Sequence, residues 1–326
     1  MTNKIVTLGE NFIANRDTVK RVFKWNEQQL IAAAANEFTA KEVIAEAEQL
    51  ENCVKLIKKN TGLFSSVRGN AKMLIASKMY LSGDPEGYIG RVTEMVKVIK
   101  KEIGSSDFTP MIASVFAEMV HDGEAEKYAV RTKQIYKLMK SGHPIATGRE
   151  DTVFAALMAF SDRSDEALVA EDEAMLEIIK KRFGGTDASQ SAAHVLVFAE
   201  GTPEEKTERL FALYDALAEI GIKYGKHEEL ATLAALSVIA GDIREAAENV
   251  KEISEYLDGQ KGYGGLSVSK KTRHMQAAMI AADLYCGEGV SQLAANVSTL
   301  VMVAAQQAAV AAAVVAATAA STNASN

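Results

Sequence analysis

Eight residues of this 326-residue chain could grip a ligand and fall in polar, glycine-rich stretches between apolar ones: Arg68, Asn70, His143, Arg149, His227, Tyr263, Arg273 and His274. Arginine presents a planar fork that matches a carboxylate or phosphate, and asparagine, tyrosine and histidine add neutral hydrogen bonds around it. Together these types offer recognition of a small anion or of an acidic group on a protein partner. Lys226 and Lys270 share these stretches, as do Asp107, Glu150, Asp151, Asp187 and Glu228, so the zone is mixed in charge. Arg68-Gly69-Asn70 is the sharpest cluster. Its arginine either holds a carboxylate or belongs to a helix cap, with the guanidinium packed on Phe64.

Other chemistries find less support. His227-Glu228-Glu229 lacks the second histidine of a zinc-protease helix. His121, His143, His194 and His274 have no spacing that puts two on one helical face, so no metal is expected. His194 falls within an apolar stretch and reads as a hydrogen-bonded core residue. Cys53 and Cys286 lie far apart and read as buried thiols. No nucleophile elbow, phosphate loop or dinucleotide fingerprint occurs, and Gly262-Tyr-Gly-Gly265 lacks the Lys-Ser/Thr and flanking strand that a phosphate loop needs. No cofactor is expected. An enzyme that uses a carboxylate such as Glu150 or Asp187 as acid or base on a small or carbohydrate-like substrate is the alternative reading.

The elements that must carry these residues are helices. A turn signal recurs at Thr39, Gly83, Gly123, Asp162, Gly201 and Gly241, in steps of 44, 40, 39, 39 and 40 residues. A period of that size is the mark of stacked helical hairpins. Before each turn runs a nearly all-apolar stretch, as at 71–81, 111–120, 153–160, 192–199 and 231–240, with another at 275–285. A helix apolar on most sides must be buried on most sides, so these are inner helices, seven from Gln28 onward. After each turn comes an amphipathic outer helix, with apolar residues such as Leu210, Leu213 and Leu217 at helical spacing. Outer helices start with caps: Thr202-Pro203-Glu204-Glu205, Asp84-Pro85, Thr39-Ala-Lys-Glu42 and Asp242-Ile-Arg-Glu245.

The fold class expected is therefore all-α: hairpins of about forty residues forming a curved α-solenoid or a closed α/α toroid. Residues 1–288 are read as one helical-repeat domain, with 1–25 as a capping helix fastened by Trp25. Turns from inner to outer helix are short, whereas the returns are long and glycine-rich. The eight candidate residues thus gather at one rim, where inner helices begin and unpaired backbone N–H groups favour anions.

With 36 basic and 43 acidic residues the formal charge is −7, and no basic block suits a phosphate backbone, so nucleic acid is not an expected partner. The polar opening is too short in apolar residues for a signal peptide, and the expected location is cytoplasmic. No charged residue follows Glu288. Residues 289–320 are read as an uncharged, Ala/Val-rich terminal helix packed on the last hairpin, and 321–326 as a frayed tail. Alanine is too weakly apolar, and Gln306-Gln307 too central, for a good membrane span, so membrane anchoring is not expected. An exposed Ala/Val face there could pair with another subunit.

Residues 60–70, Asn-Thr-Gly-Leu-Phe-Ser-Ser-Val-Arg-Gly-Asn, together with the helical pattern and the Gln-Gln-Ala-Ala ending, resemble an uncharacterised family of Gram-positive Firmicutes, domain of unknown function number four thousand and three. The resemblance extends over essentially the whole chain. It implies an all-helical, cytoplasmic bacterial protein and brings no activity, substrate or cofactor. The function expected is that of a helical-repeat binding or scaffold protein whose rim holds a partner protein or a small anionic ligand.

Overall fold

A computed structural model describes residues 3–24, 28–63, 65–143, 147–185, 187–264, 268–285, 301 and 303–315. Trp25, Phe64, Cys286 and the tail 321–326 lie outside them. Among the described residues every regular element is a helix. The chain divides into two compact units, one of Arg16–Phe38, Ala45–Val169 and Val310–Asn326, the other of Met1–Asn15, Thr39–Ile44 and Ala170–Ala309.

The first unit carries α2 (Gln28–Thr39), α3 (Ala47–Asn60), α4 (Lys72–Leu81), α5 (Pro85–Glu102), α6 (Thr109–Met119), α7 (Ala125–Gly142) and α8 (Thr152–Met158), with the 3-10 turn Ser66–Arg68 before α4. Helix α1 (Asn3–Val22) precedes them. The amphipathic helices α3, α5 and α7 pack side by side, and each also covers the apolar helix that follows it. All residues of α8 and Thr109–Ala117 of α6 are buried, as expected for helices apolar on every side. In α5 only the stripe Tyr88, Ile89, Val92, Val96 and Ile99 is buried, and its spacing places that stripe on one face.

In the second unit α9 (Asp165–Phe183, from Ala170 on), α11 (Pro203–Glu219) and α13 (Ile243–Asp258) are the amphipathic helices. The apolar helices α10 (Asp187–Leu196), α12 (Glu229–Ile239) and α14 (Lys270–Asp283) pack in series, α10 on α12 and α12 on α14. Each unit is thus a layer of amphipathic helices against a layer of apolar ones.

Most outer-helix starts are capped as their residue types dictate. Thr202 and Glu205 form a reciprocal capping box with Pro203 at the first position, and Asp84 accepts from the N–H of Gly87 ahead of Pro85. Asp242 accepts from the N–H groups of Arg244 and Glu245. Thr39 is different: it is the last residue of α2, and its hydroxyl accepts from Asn15 Nδ2 at 3.2 Å. The chain turns three residues later at Glu42, whose φ of +54° is the left-handed conformation that Gly83, Gly123 and Gly201 adopt at their own turns. Measured from Glu42 to Gly83 the first step is 41 residues rather than 44, and α3 starts at Ala47 instead of near residue 40.

Residues 303–315 are helical, and most of their alanines and valines are buried, with Val315 the exposed large residue. The rest of the expected terminal helix, 289–300, 302 and 316–320, lies outside the described residues. Among the described residues no helix is long and apolar enough to cross a membrane.

Candidate functional site

The glycine-rich connections bring four of the eight residues into the first unit. Ser65 opens the 3-10 turn by accepting from Val67 N, and the turn aims Arg68 back at the end of α3. There Arg68 Nε donates to Thr61 Oγ1 at 3.0 Å, and Nη2 donates to the carbonyls of Lys58 and Thr61. Those carbonyls are among the last of a helix and have no partner inside it, so the guanidinium closes the helix end. Thr61 completes the clamp by donating its hydroxyl to Ile57 O at 2.6 Å. A capping role thus engages Arg68, at the C-terminal end of α3 rather than at the start of α4.

Asn70 stands just before α4, whose first residues have no side-chain cap. Its own amide is half-buried and makes no hydrogen bond among the described residues. Lys72 follows in the first turn of α4, and burial together with the charge of Lys58 holds its ammonium pKa below the usual value. His143 ends α7, and its backbone bonds Met139 O and Thr147 N at 3.1 and 2.9 Å. Its ring has no partner among the described residues. Arg149 is exposed one turn before α8, with its guanidinium beside Gly104, where an added Cβ would lie 3.8 Å from Nη1. The Arg149 side chain has no hydrogen bond or ion pair among the described residues. Its neighbourhood is nonetheless fixed: Gly148 N donates to Asp151 Oδ2 at 2.8 Å, and Thr152 Oγ1 to Arg149 O at 2.5 Å.

The other four lie in the second unit, and three of them are buried. Tyr263 donates to Gln276 Oε1 at 2.5 Å, pinning the α13–α14 connection onto α14. Arg273 pairs with Asp258 and donates from Nε to Ser254 Oγ at 3.3 Å, joining α14 to α13. His274 Nδ1 lies 3.3 Å from Lys223 O, so the carbonyl accepts from a protonated Nδ1. Burial first, then the charges of Arg273 and Lys270, hold the His274 pKa below its ordinary value, against the opposing pull of that carbonyl. Among the described residues the ring of His227 has no partner, while its backbone N–H donates to Glu229 Oε2 at 3.0 Å. The carboxylate of Glu229 lies so close to Gly225 that a Cβ there would meet it at 2.1 Å. Tyr263, Arg273 and His274 are therefore ties between elements, and the two groups of four belong to different units.

Sequence reasoning missed a second set of polar ties. In the first unit Lys78, on α4, is fully enclosed between Glu118 of α6, at 2.9 Å, and Glu37 of α2, at 3.3 Å. Tyr88 donates to Glu118 Oε1 at 2.9 Å. Burial alone would lower the Lys78 pKa, but the two carboxylates outweigh it and hold the ammonium above its usual range. The three charged residues stand five before Glu42, Gly83 and Gly123 respectively, one per hairpin.

A matching series uses arginine. Arg91 Nη2 donates to Val120 O at 2.9 Å, Arg131 Nη1 to Ala159 O at 3.0 Å, and Arg209 Nε to Ser237 O at 2.8 Å. Each guanidinium on an outer helix covers the carbonyl end of the next inner helix, and each stands eight residues after its turn glycine, Gly83, Gly123 or Gly201. In the second unit α9 uses carboxylates: Asp172 Oδ1 lies 2.9 Å from His194 Nδ1, and Glu171 pairs with buried Lys206. His194 is fully buried and hydrogen-bonded, in keeping with a core role. Among the described residues no three His, Cys, Asp or Glu side chains gather as a metal ion would require.

Over residues 15–314 the chain matches the family described as "Protein of unknown function (DUF4003)". No curated protein matches it. No solved structure matches it either.

Proposed function

Because the chain belongs to the DUF4003 family of proteins of unknown function, we propose from the geometry of its polar groups that it is a helical binding or scaffold protein, taking a carboxylate- or phosphate-bearing partner at the starts of inner helices in the first unit. The observation that carries this reading is Arg149. It is an exposed guanidinium with no intrachain partner among the described residues, held at the start of α8 on a loop whose backbone is tied at Gly148 and Thr152. Arginine so placed keeps all its donors for a ligand. Asn70, at the uncapped start of α4, and the ring of His143 are further polar groups of the same unit without a hydrogen bond among the described residues. By contrast Arg68, in the same unit, is engaged in bonds that fasten its loop to the end of α3, which commits its Nε and Nη2 donors within the chain.

A thermal-shift screen with inorganic phosphate, citrate and a short polyglutamate peptide tests the proposal, run on the wild type, Arg149→Gln and Asn70→Ala. A ligand that raises the wild-type Tm and loses most of that shift in Arg149→Gln supports it. Equal shifts in wild type and Arg149→Gln remove Arg149 as the anchor, and no shift with any probe overturns the reading.

A further inference from the structure

The most exposed large apolar side chain among the described residues is Leu63, at 73 %. Fraying does not account for it, because its loop is braced on both sides. Ser65 N donates to Gly62 O at 3.0 Å, Arg68 N to Ser65 O at 3.0 Å, and the Arg68 guanidinium fastens Thr61 to the end of α3. Holding a leucine in water forgoes the gain of burying it, and it is its combination with the charges around it that gives the corner a character.

The surroundings indicate the cover. Lys55, Lys58 and Lys59, in the last two turns of α3, are all exposed. Lys72 adds a fourth ammonium close enough to Lys58 to feel its charge. Glu86 lies 3.6 Å from Lys59 in an exposed pair of little strength, and Glu51 stands one turn before Lys55 on α3. Gly62 beside the leucine has nothing within 4 Å of an added Cβ, so there is open space on that side of the loop. An exposed apolar tip flanked by lysines fits a surface that is anionic outside and apolar just beneath. A groove on an acidic protein would instead need a pocket shaped for one leucine.

We propose that the Lys55–Leu63 corner docks on an anionic lipid surface, with the lysines over the headgroups and Leu63 in the boundary between headgroups and acyl chains. One short apolar anchor plus a few lysines gives reversible, salt-sensitive attachment rather than insertion. This docking needs neither Asn70 nor Arg149, so it stands or falls apart from the anion-binding reading.

Co-sedimentation of the full chain with vesicles of phosphatidylglycerol and phosphatidylcholine, against phosphatidylcholine alone, tests it. The variants are Leu63→Ser and the double variant Lys58→Glu/Lys59→Glu, all exposed positions, with Tm confirming that each folds. The expected result is binding to the anionic vesicles only, lowered about tenfold or more by the charge reversal, lowered several-fold by Leu63→Ser, and weakened by salt. Absence of binding to anionic vesicles overturns the proposal. So does binding that Leu63→Ser leaves unchanged, or equal binding to neutral vesicles. If an oligonucleotide or polyglutamate binds as tightly as the vesicles and does so independently of Leu63, the corner is a general polyanion patch and the lipid assignment is lost.

Discussion

Lys78 Nζ lies 2.9 Å from both carboxylate oxygens of Glu118, forty residues further along the chain and on a different helix. With Glu37 on the other side, a cation sits between two anions across three apolar helices, at one position per hairpin. Removing the cation takes from both carboxylates the ammonium that they share. Lys78→Met is expected to cost about 3–5 kcal/mol, the size seen when one partner of a buried pair is lost. Urea unfolding measures it. Adding Glu37→Gln and Glu118→Gln to Lys78→Met should recover much of the loss, because neutral amides need no counter-charge. A cost under about 1 kcal/mol for Lys78→Met would show that the ladder does not hold the helices.

The hairpin layout was legible because glycines and caps act locally. Gly83, Gly123 and Gly201 take left-handed φ, and Asp84, Thr202 and Asp242 cap within three residues of themselves. Thr39 misled because a threonine followed by a glutamate three residues later has the form of a capping box, yet α2 runs on through it. The left-handed position fell instead to Glu42, a residue type that rarely takes it. The ladder was illegible for a different reason. Lys78 and Glu118 each look like a lone charge in an apolar stretch, and only the register of three helices pairs them. Arg68 shows the limit for sites: its residue type fits an anion clamp and a helix-end clamp equally well. Which of the two engages it depends on where the α3 carbonyls lie.

Gly9 on α1 faces the ring of Tyr256 on α13, and an added Cβ would come within 2.7 Å of two ring carbons. In an isolated helix Gly→Ala would gain about 1 kcal/mol. Here the ring must shift, and overpacking costs about 1–3 kcal/mol. Gly9→Ala is therefore expected to be neutral to destabilising, and Gly9→Val clearly destabilising. A rise in Tm for Gly9→Ala would mean that the ring moves freely.

His274 gives a signed dependence on pH. Its folded pKa is below the ordinary 6.5, chiefly because of burial. The unfolded chain then binds the proton more readily, so this histidine's contribution is fully present above about pH 6.5 and is lost as pH falls toward the folded value. His274→Asn keeps a polar side chain and cannot titrate. The drop in Tm between pH 7 and pH 5.5 should be smaller in His274→Asn than in the wild type, and an identical drop would locate the acid sensitivity elsewhere.

The arginine series does not run through every hairpin. Eight residues after Gly83, Gly123 and Gly201 stand Arg91, Arg131 and Arg209, and eight after Gly241 stands Asn249, which donates to Tyr285 OH at 3.0 Å. Eight after Asp162 stands Ala170, exposed on α9 and unable to reach any carbonyl. An arginine at this position would stand at the same offset from the turn on its outer helix as Arg91, Arg131 and Arg209. Glu166 and Glu173, one turn before and after on the same helix, would favour its charge. Ala170→Arg, donating to a carbonyl at the end of α10, is expected to raise stability by about 0.5–1.5 kcal/mol, the usual net worth of a hydrogen bond. Ala170→Lys supplies the charge without the fork and should gain less. Equal gains from the two substitutions would trace the effect to the neighbouring glutamates rather than to closure of the α10 end.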